Sequence, residues 1–467
     1  MSNHATPVGP RVLIDCGDHA MGNLGDVAML QVTVQRLREQ LPSAALDVIT
    51  RDPDALALHC PGARPVSYEG RQLWAGRGIL LGRADRFLRQ ARLVTGGGPE
   101  AVLRRNCASL HERLIHARMH GQRPRKEAFD RFMRTLGAAD AVVVCGAGGV
   151  TDHAAEWATA LLDVLAYAVA RHHRTAMFSH GLGPITNPEL RRLARRVLPQ
   201  LDLLALRERR AGEPLARSLG VAPGRLCVTG DDAIELAYAA RPTVLGNQIG
   251  INLRVARSAG VDESYVDPVG TVVRQFAGMR NASLIPLPIG RGTASNDVAT
   301  LRRLFGGLGL VGDGGVGLNT PDAVIREVSR CRIVVTGSYH AAVFACAQGI
   351  PAICLARSLY FWDKFLGLAD QFGRGCSVVD LGARDLPSQL LAAMQCAWDS
   401  ADEWRNPLLE AARHQIEASR SAYQRFAGML ADRAVPAHPQ SSTRKPGPLT
   451  PERSTSLQAA SRLGESR

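Results

Sequence analysis

The chain is poor in lysine and has no long apolar run. Of its 56 basic residues only three are lysines, Lys126, Lys364 and Lys445. Its longest apolar runs, such as AVVVCGAGGV at 141–150, are as long as a β-strand and far too short to span a membrane. The opening residues MSNHATPVGPRV lack the apolar segment of a secretory signal. We therefore expect a cytoplasmic protein.

Cysteine pairs at a meaningful spacing are also absent. The ten cysteines occur singly, with no C-x-x-C and no Cys/His pairing at zinc-ligand spacing. This distribution excludes a disulfide framework and gives no sign of a metal site. We expect reduced, mostly buried thiols, no metal and no cofactor.

The chain has an excess of positive charge, +13 overall, and this charge is unevenly distributed. Residues 71–136 hold 15 arginines and lysines against 5 acidic residues. Such a stretch attracts an anionic partner, for example a phosphorylated lipid carrier, an acidic glycan or the inner face of a membrane. A solvated helical insertion explains it equally well. No motif with interleaved aromatic residues indicates nucleic acid, and we expect none as a partner.

Short apolar segments alternate with helical patterns along the first half of the chain. The strand-like segments cover residues 11–17, 46–53, 141–149, 175–184, 202–208 and 225–233. Helical patterns separate them, and the basic stretch 71–136 is itself mainly helical. This alternation predicts a parallel sheet covered by helices on both faces. We expect an N-terminal Rossmann-like domain over residues 1–243, with the basic stretch as a helical insertion.

A second series of the same kind follows a linker at 239–247. Its strand-like segments cover residues 248–256, 283–290, 331–337, 352–356 and 376–382. The predicted fold class is therefore α/β, with two tandem, doubly wound Rossmann-like domains, the second over 244–395. We expect C-terminal helices at 396–433. The last segment, 434–467, is rich in Pro, Ser, Thr and charge, which predicts disorder.

Glycine-rich loops follow two of the predicted strands, and parallel sheets bind ligands at the carboxyl ends of their strands. The loop CGDHAMGNLGD at 16–26 includes Asn23 and Gly25, and Asp26 is placed to cap the next helix. The loop CGAGG ends in Gly148 and Gly149, whose N–H groups can receive an anion or a sugar hydroxyl. A tight, capped loop without a ligand would also explain the first pattern.

Charged and polar side chains follow other strands. His180 precedes a Gly-x-Gly-Pro turn, where a lone histidine is more often structural. Arg207 ends a buried strand, where a cation needs an anionic partner. That partner is Glu208 or Asp231 within the protein, or a phosphate or carboxylate of a ligand. Arg254 ends a strand of the second series in the same way. Together these residues predict an anion-binding cleft between the two domains.

His340 lies in TGSYHAAVFACAQGIPAI at 336–353, where a strand turns into a short helix. Ser338 is a natural N-cap, which places His340 in the first turn of that helix. The positive end of the helix dipole disfavours a charged imidazole there unless an anion is bound. A phosphate-bearing substrate would therefore bind at this end and prepare His340 to donate a proton. A purely structural cap is the alternative.

Several of these segments occur in the order and spacing of the polysaccharide pyruvyl transferase family, which the chain resembles over about residues 11–370. The segments are GNLGDVAM, CGAGG, HGLGP, LRERRAGEPLARSLGV, VTGDDA and GSYHAAVFACAQGIPAI. The resemblance implies a GT-B-like fold. It also implies transfer of a pyruvyl group from phosphoenolpyruvate to a sugar hydroxyl of an exopolysaccharide or cell-envelope glycan.

The resemblance also implies roles for the residues described above. The catalytic residues would be His340, as general acid/base, and Arg207, as a clamp for the anionic donor. The implied substrate-binding residues are Asn23, Gly25, Asp26, Gly148, Gly149, His180, Asp231, Arg254, Ser338, Tyr339 and Lys364. The implied partners are phosphoenolpyruvate and a glycan linked to a lipid or a nucleotide.

One position departs from the family pattern. Many members carry Arg-Leu-His where this chain has Ser338-Tyr339-His340, so Lys364 or Arg254 would have to supply the missing cation. One alternative is a nucleotide-sugar glycosyltransferase of the same fold. It would need a carboxylate for the ribose, and no glutamate follows 336–353 at a suitable place. Another is a non-catalytic relative, against which the retained His340 argues.

Overall fold

The first part of the chain forms a seven-stranded parallel sheet. The computed structural model describes residues 9–82, 98–292, 295–306 and 313–434. The strands of this sheet are β1 Arg11–Asp15, β2 Ala45–Thr50, β3 Arg64–Ser67, β4 Ala141–Val144, β5 Arg174–His180, β6 Leu203–Leu206 and β7 Leu226–Val228. They lie in the order β3-β2-β1-β4-β5-β6-β7, and every neighbouring pair is parallel.

Helices cover both faces of this sheet because its strands are apolar on both sides. In β1, Val12 and Ile14 belong to one buried cluster, whereas Leu13 belongs to another. The helices are α1 Leu24–Gln40, α2 Pro53–His59, α3 Tyr68–Ala75, α4 Pro99–Asn106, α5 Ala108–Arg118, α6 Arg123–Gly137, α7 Ala155–Ala170, α8 Pro188–Val197, α9 Gly212–Ser218 and α10 Ala233–Ala239. We call this sheet and its helices the first unit.

The basic stretch 71–136 contains the end of α3, all of α4 and α5 and most of α6, and residues 83–97 of it lie outside the described residues. Part of its positive charge is internal. Arg71 Nε donates to Asp15 Oδ2 at 2.7 Å, and both side chains are buried. Arg104 pairs with Asp163 of α7 at 2.8 Å, also in the interior. The fold therefore neutralises some of the cations that the sequence count assigns to a surface patch.

The second part of the chain forms a five-stranded parallel sheet. Its strands are β8 Gln248–Asn252, β9 Leu284–Pro286, β12 Cys331–Thr336, β13 Ala352–Ala356 and β14 Cys376–Asp380, and β10 Arg291–Gly292 with β11 Ser295–Asn296 forms a separate antiparallel hairpin. The sheet order is β14-β13-β12-β8-β9. The helices are α11 Val266–Arg280, α12 Asp297–Gly306, α13 Pro321–Val328, α14 Tyr339–Ala347, α15 Leu359–Phe372 and α16 Leu386–Asp399. We call this sheet and its helices the second unit.

Each sheet has one point where the order of the strands reverses. In the first unit this point lies between β1 and β4, and in the second it lies between β8 and β12. The helices that follow the two central strands cross to opposite faces there, which leaves a crevice at the carboxyl ends of the strands. The two crevices are the places in the fold where a ligand is expected.

A long C-terminal helix, α17 Ala401–Ala434, joins the two units. Its far end packs on the first unit, where the Tyr423 ring stacks on Phe178 with centroids 3.8 Å apart. The Tyr423 hydroxyl donates to Asp232 at 2.8 Å. The predicted C-terminal helices at 396–433 correspond to the end of α16 and to α17. The predicted disordered tail, 434–467, lies outside the described residues apart from Ala434, which ends α17.

The predicted fold class is confirmed: the protein is α/β, with two Rossmann-like units in tandem. The exact domain boundaries stay a prediction. None of the helices in the described ranges is both long and apolar enough to cross a membrane.

Candidate active site

A cleft of about 570 Å³ lies between the two units. The loops after β1, β4, β8 and β12 line it, so both switch points open into the same space. The predicted residues in its lining are Asn23, Asp26, Gly148, Gly149, Arg207, Arg254, Ser338, Tyr339, His340 and Lys364. Gly25, His180 and Asp231 are outside this lining. The prediction of one polar cleft between the two halves of the chain thus agrees with the structure.

A larger cavity of about 850 Å³ lies elsewhere, between the segment after β6 and α17. Its arginines already have acidic partners: Arg210 pairs with Asp370 at 2.8 Å, and Arg217 pairs with Glu213 at 2.7 Å. It lies away from both switch points, and its cations are neutralised. We therefore place the site in the smaller cleft.

Asn23 caps helix α1 at the edge of the cleft. Its Oδ1 accepts from the N–H groups of Gly25 at 3.0 Å and Asp26 at 3.4 Å. The prediction that Asp26 is the cap is wrong, because the N-cap position falls three residues earlier and Asp26 lies in the first turn. The Asp26 carboxyl is instead free to face the cleft. Burial raises its pKa, although nearby His340 and Arg207 act in the opposite direction.

Gly25 is in contact with His340, which belongs to the other unit. A Cβ added at Gly25 would lie 2.0 Å from Cγ and Nδ1 of the His340 ring. No side chain fits at this position while the imidazole is in place. The glycine in GNLGD therefore serves the close approach of the two units.

His340 lies in the first turn of α14, as predicted, between two carboxylates of the first unit. Its Nε2 is 3.6 Å from Asp231 Oδ2 and 4.0 Å from Asp26 Oδ1. The ring is 95% buried, and Nε2 has no hydrogen-bond partner among the described residues. Ser338 occupies the N-cap position, but its side chain makes no capping hydrogen bond. The Nε2 atom of His340 is therefore available for a hydrogen bond with a ligand.

Arg207 follows β6 and is the strongest single indication of a bound anion. Its side chain is 98% buried, and Nε and Nη2 have no hydrogen-bond partner in the described part of the chain. Asp231 lies 3.8 Å away, beyond hydrogen-bond distance. Glu208 does not pair with it, because both Glu208 oxygens accept backbone N–H groups at the start of α9, from Ala211 and Gly212 at 2.9 Å each. A buried guanidinium with unused donors is costly unless a ligand supplies acceptors.

The carbon between the guanidinium nitrogens of Arg207 lies 4.3 Å from the centre of the Tyr339 ring. This cation–π contact orients the guanidinium plane. Tyr339 thus supports Arg207 at the position where many family members carry leucine.

Gly148 allows three polar groups to meet at the base of the cleft. A Cβ there would lie 2.6 Å from Arg207 Nη2, 2.8 Å from Lys364 Nζ and 2.9 Å from the Tyr360 hydroxyl. Burial lowers the pKa of Lys364 well below its ordinary value, and Arg207 and Arg254 lower it further. Crowded cations of this kind favour an anion among them.

Arg254 and Gly149 complete the predicted lining. Arg254 is half-buried, and no ion pair holds it within the described ranges. At Gly149 an added Cβ would lie 2.4 Å from Cζ3 of Trp157, so a glycine is needed for the indole to pack against this loop.

His180 lies behind the lining, at the buried end of β5. Burial and the nearby cations Arg207 and Lys364 lower the pKa of its ring to about 3, so the imidazole is neutral at pH 7. Its backbone carbonyl accepts from the Arg207 N–H at 3.2 Å. His180 thus supports the loop that carries Arg207, and direct contact with a substrate stays a prediction.

The lining also includes Asp18, Trp157 and Tyr360, which the sequence analysis did not single out. Trp157 lies in the helix that follows the CGAGG loop, and Tyr360 lies in the aromatic segment LYFWDKF, so the sequence contained a signal for both residues. It contained no signal for Gly290 and Gly292, at the start of the β10–β11 hairpin. This hairpin reaches the first unit through the Arg291 N–H, which donates to the Gly22 carbonyl at 2.7 Å.

Solved structures show the same overall fold. A protein from Listeria monocytogenes named as a UDP-N-acetylglucosamine 2-epimerase is 12% identical, with a TM-score of 0.51 over 91% of this chain and 96% of that chain. The UDP-GlcNAc 2-epimerase of Methanocaldococcus jannaschii is 10% identical, with a TM-score of 0.50 over 90% and 99%. These identities show the fold alone, which is GT-B-like.

No curated protein matches the chain. A family model does: the one described as polysaccharide pyruvyl transferase matches residues 23–358, which is most of the chain. The matched range runs from the cap of α1 to the residue before α15 and so includes Arg207, Arg254 and His340. The chain therefore belongs to the polysaccharide pyruvyl transferase family.

Proposed function

We propose that this protein transfers a pyruvyl group from phosphoenolpyruvate to a sugar hydroxyl of an exopolysaccharide or cell-envelope glycan. The observation that carries the proposal is the buried Arg207 guanidinium, with unused donors, which shares the neighbour Asp231 with the ring of His340. Membership of the family supports the class of reaction.

The charges of the cleft fit a small dianionic or trianionic donor. Arg207, Arg254 and Lys364 line it and can bind a phosphate and a carboxylate together. Lys364 lies close to Arg207 across Gly148, so it can supply the cation that the family's usual Arg-Leu-His sequence would place near His340. The donor's negative charge would also favour the ammonium form of Lys364.

His340 is positioned to act as the general acid. Its Nε2 proton is transferred to the methylene carbon of phosphoenolpyruvate, which makes C2 electrophilic. The oxygen of a sugar hydroxyl then bonds to C2, and its proton passes to a base. Asp26, whose raised pKa suits proton transfer, lies next to His340 for this purpose.

The bond between C2 and the phosphate oxygen then breaks, and inorganic phosphate leaves with the electron pair, so C2 is electrophilic again. If a second hydroxyl of the same sugar bonds to C2 and its proton passes to a base, the product is a ketal. If a base instead removes a proton from the methyl carbon, the product is an enol ether. Both outcomes release one phosphate for each pyruvyl group transferred, so phosphate release measures the reaction in either case.

The acceptor carrier is a further part of this proposal. A glycan linked to a lipid would bring the protein to the inner membrane face, and the exposed arginines of the helical insertion, such as Arg113 and Arg118, would favour an anionic surface. A nucleotide-linked glycan needs no such contact.

Phosphate release from phosphoenolpyruvate in the presence of glycan acceptors tests the proposal. His340→Ala should lower the rate by about a hundredfold or more, because a general acid contributes about that much. His120→Ala, an exposed histidine after α5, is the matched control and should keep the wild-type rate. Unchanged turnover in His340→Ala would exclude this residue from the mechanism.

Thermal shift separates this function from a nucleotide-sugar glycosyltransferase. Phosphoenolpyruvate should raise the midpoint of thermal unfolding, because it binds only the folded protein. Stabilisation by UDP-sugars alone would favour the glycosyltransferase. Within the described lining, the carboxylates are Asp18 and Asp26 of the first unit, so the second unit offers none for a ribose.

A further inference from the structure

The cleft has an aromatic face that the proposed donor does not use. His153 and Trp157 line it from the turn before α7 and from α7 itself, and Tyr360 lines it from α15. The His153 and Tyr360 rings lie 5.0 Å apart between centroids and are tilted by 47°. Aromatic side chains of both units therefore meet at this face.

The aromatic face lies directly beside the cationic base of the cleft. The Tyr360 hydroxyl donates to the Gly148 carbonyl at 2.6 Å, which holds the ring in place. Lys364 Nζ lies 4.0 Å from the centre of the same ring. A molecule bound next to a donor held by Lys364 would therefore lie beside the Tyr360 ring.

The size and charge of the cleft leave room for a second, uncharged molecule. Its volume of about 570 Å³ lies within the range of pockets that enclose a drug-sized ligand, whereas phosphoenolpyruvate has a three-carbon skeleton. The cleft-lining residues of the range 151–157 are Thr151, His153, Ala154 and Trp157, and none of them is acidic or strongly basic. Elsewhere in the lining, Asp18 offers carboxylate oxygen atoms and Asn23 offers its side-chain N–H groups to hydroxyl groups.

We propose that Trp157, His153 and Tyr360 form the binding face for a neutral pyranose ring of the acceptor. The inference rests on the proposed function, because it places the sugar beside a donor bound at Arg207 and Lys364. The apolar C–H face of a pyranose packs on aromatic rings, while its hydroxyls bond to the polar lining. Binding at this face brings a sugar hydroxyl towards C2 of the donor.

Saturation-transfer NMR with methyl glycosides of glucose, galactose, mannose and N-acetylglucosamine tests this face directly. The wild-type protein should transfer saturation to the ring protons of at least one glycoside. Trp157→Ala should weaken its binding by about tenfold, the size expected from loss of one aromatic stacking partner. Trp157→Phe, which keeps an aromatic ring, should retain most of the signal.

His153→Ala is a second variant of the aromatic face that should fold normally, because the His153 side chain is exposed. It should weaken the same signal, whereas His120→Ala, the matched control, should leave it unchanged. Absence of transfer in the wild type, or full transfer in both Trp157→Ala and His153→Ala, would overturn the proposal.

Phosphoenolpyruvate provides the independent measurement. Phosphoenolpyruvate could stabilise the wild type and Trp157→Ala equally, while saturation transfer to the glycosides is the same in both proteins. In that case the proposed sugar-binding role of the aromatic face is wrong, and the proposed function stands. If phosphoenolpyruvate gives no stabilisation to any variant, the proposed function itself fails.

Discussion

Replacing Gly25 with alanine would test whether the two units meet at His340. The new Cβ would lie 2.0 Å from two atoms of the imidazole, so the ring or the start of α1 must move by about 1.4 Å to reach the 3.4 Å of an ordinary van der Waals contact. Overpacking of this kind costs about 1–3 kcal/mol in unfolding free energy. The higher helix propensity of alanine offsets at most about 1 kcal/mol.

A double-mutant cycle isolates the contact. In the His340→Gly background the ring and the Cβ of residue 340, which would lie 2.0 Å and 2.5 Å from the new Cβ, are both absent, so Gly25→Ala should be neutral or stabilise the protein by up to about 1 kcal/mol. The two substitutions should therefore be coupled by about 1–3 kcal/mol, which chemical or thermal unfolding of the four proteins would measure. Gly428→Ala in α17, where an added Cβ meets nothing within 4 Å, is the control and should behave alike in both backgrounds.

Activity gives a second measure of the same perturbation. Displacing a catalytic group by about 1 Å can lower the rate by up to about a hundredfold, so Gly25→Ala should release phosphate much more slowly than Gly428→Ala. The reasoning would be refuted by an equal stability cost of Gly25→Ala with and without the His340 ring. Wild-type turnover in Gly25→Ala would refute the placement of the catalytic group.

Two further predictions follow from buried polar groups. Because burial, Arg207 and Arg254 lower the pKa of Lys364, a bound anion should raise it again, so phosphoenolpyruvate binding should take up protons at pH values between the lowered and the raised pKa. Calorimetry in buffers of different ionisation enthalpy would show this uptake, and a buffer-independent enthalpy, or equal uptake in Lys364→Met, would contradict it. Tyr423→Phe removes the hydroxyl that donates to the buried Asp232 carboxylate, so it should lower the unfolding free energy by about 1–3 kcal/mol. A urea midpoint equal to that of the wild type would contradict this hydrogen bond.

Local patterns were sufficient to predict both sheets apart from β3, Arg64–Ser67, which none of the predicted segments covers. Strands buried on two faces must be apolar along their whole length, so β1, β4 and β12 stand out from the helices around them. The same patterns located the loops at the strand ends. The polar residues found there, including Arg207 and His340, line one cleft because parallel strands present all their carboxyl ends at one edge.

Hydrogen-bond partners were predicted less well. Asp26 and Glu208 each had a reasonable local role, and each has a different one, whereas Ser338 holds the predicted N-cap position without a side-chain capping hydrogen bond. Asn23 takes the cap expected of Asp26, and Glu208 accepts the N–H groups at the start of α9 rather than pairing with Arg207. Several acceptors compete for each donor, and a shift of one or two residues in a helix start decides among them.

The sequence by itself determined the order of strands and helices, the glycine-rich loops and the residue types at the strand ends, because each depends on neighbours within a few positions. Only the tertiary structure decided which of those residues meet. Gly25 and His340 touch, and Asp231 lies between His340 and Arg207, because the two sheets pack with their crevices facing each other. No local pattern carries that information, since the packing of the units depends on surfaces assembled from distant parts of the chain.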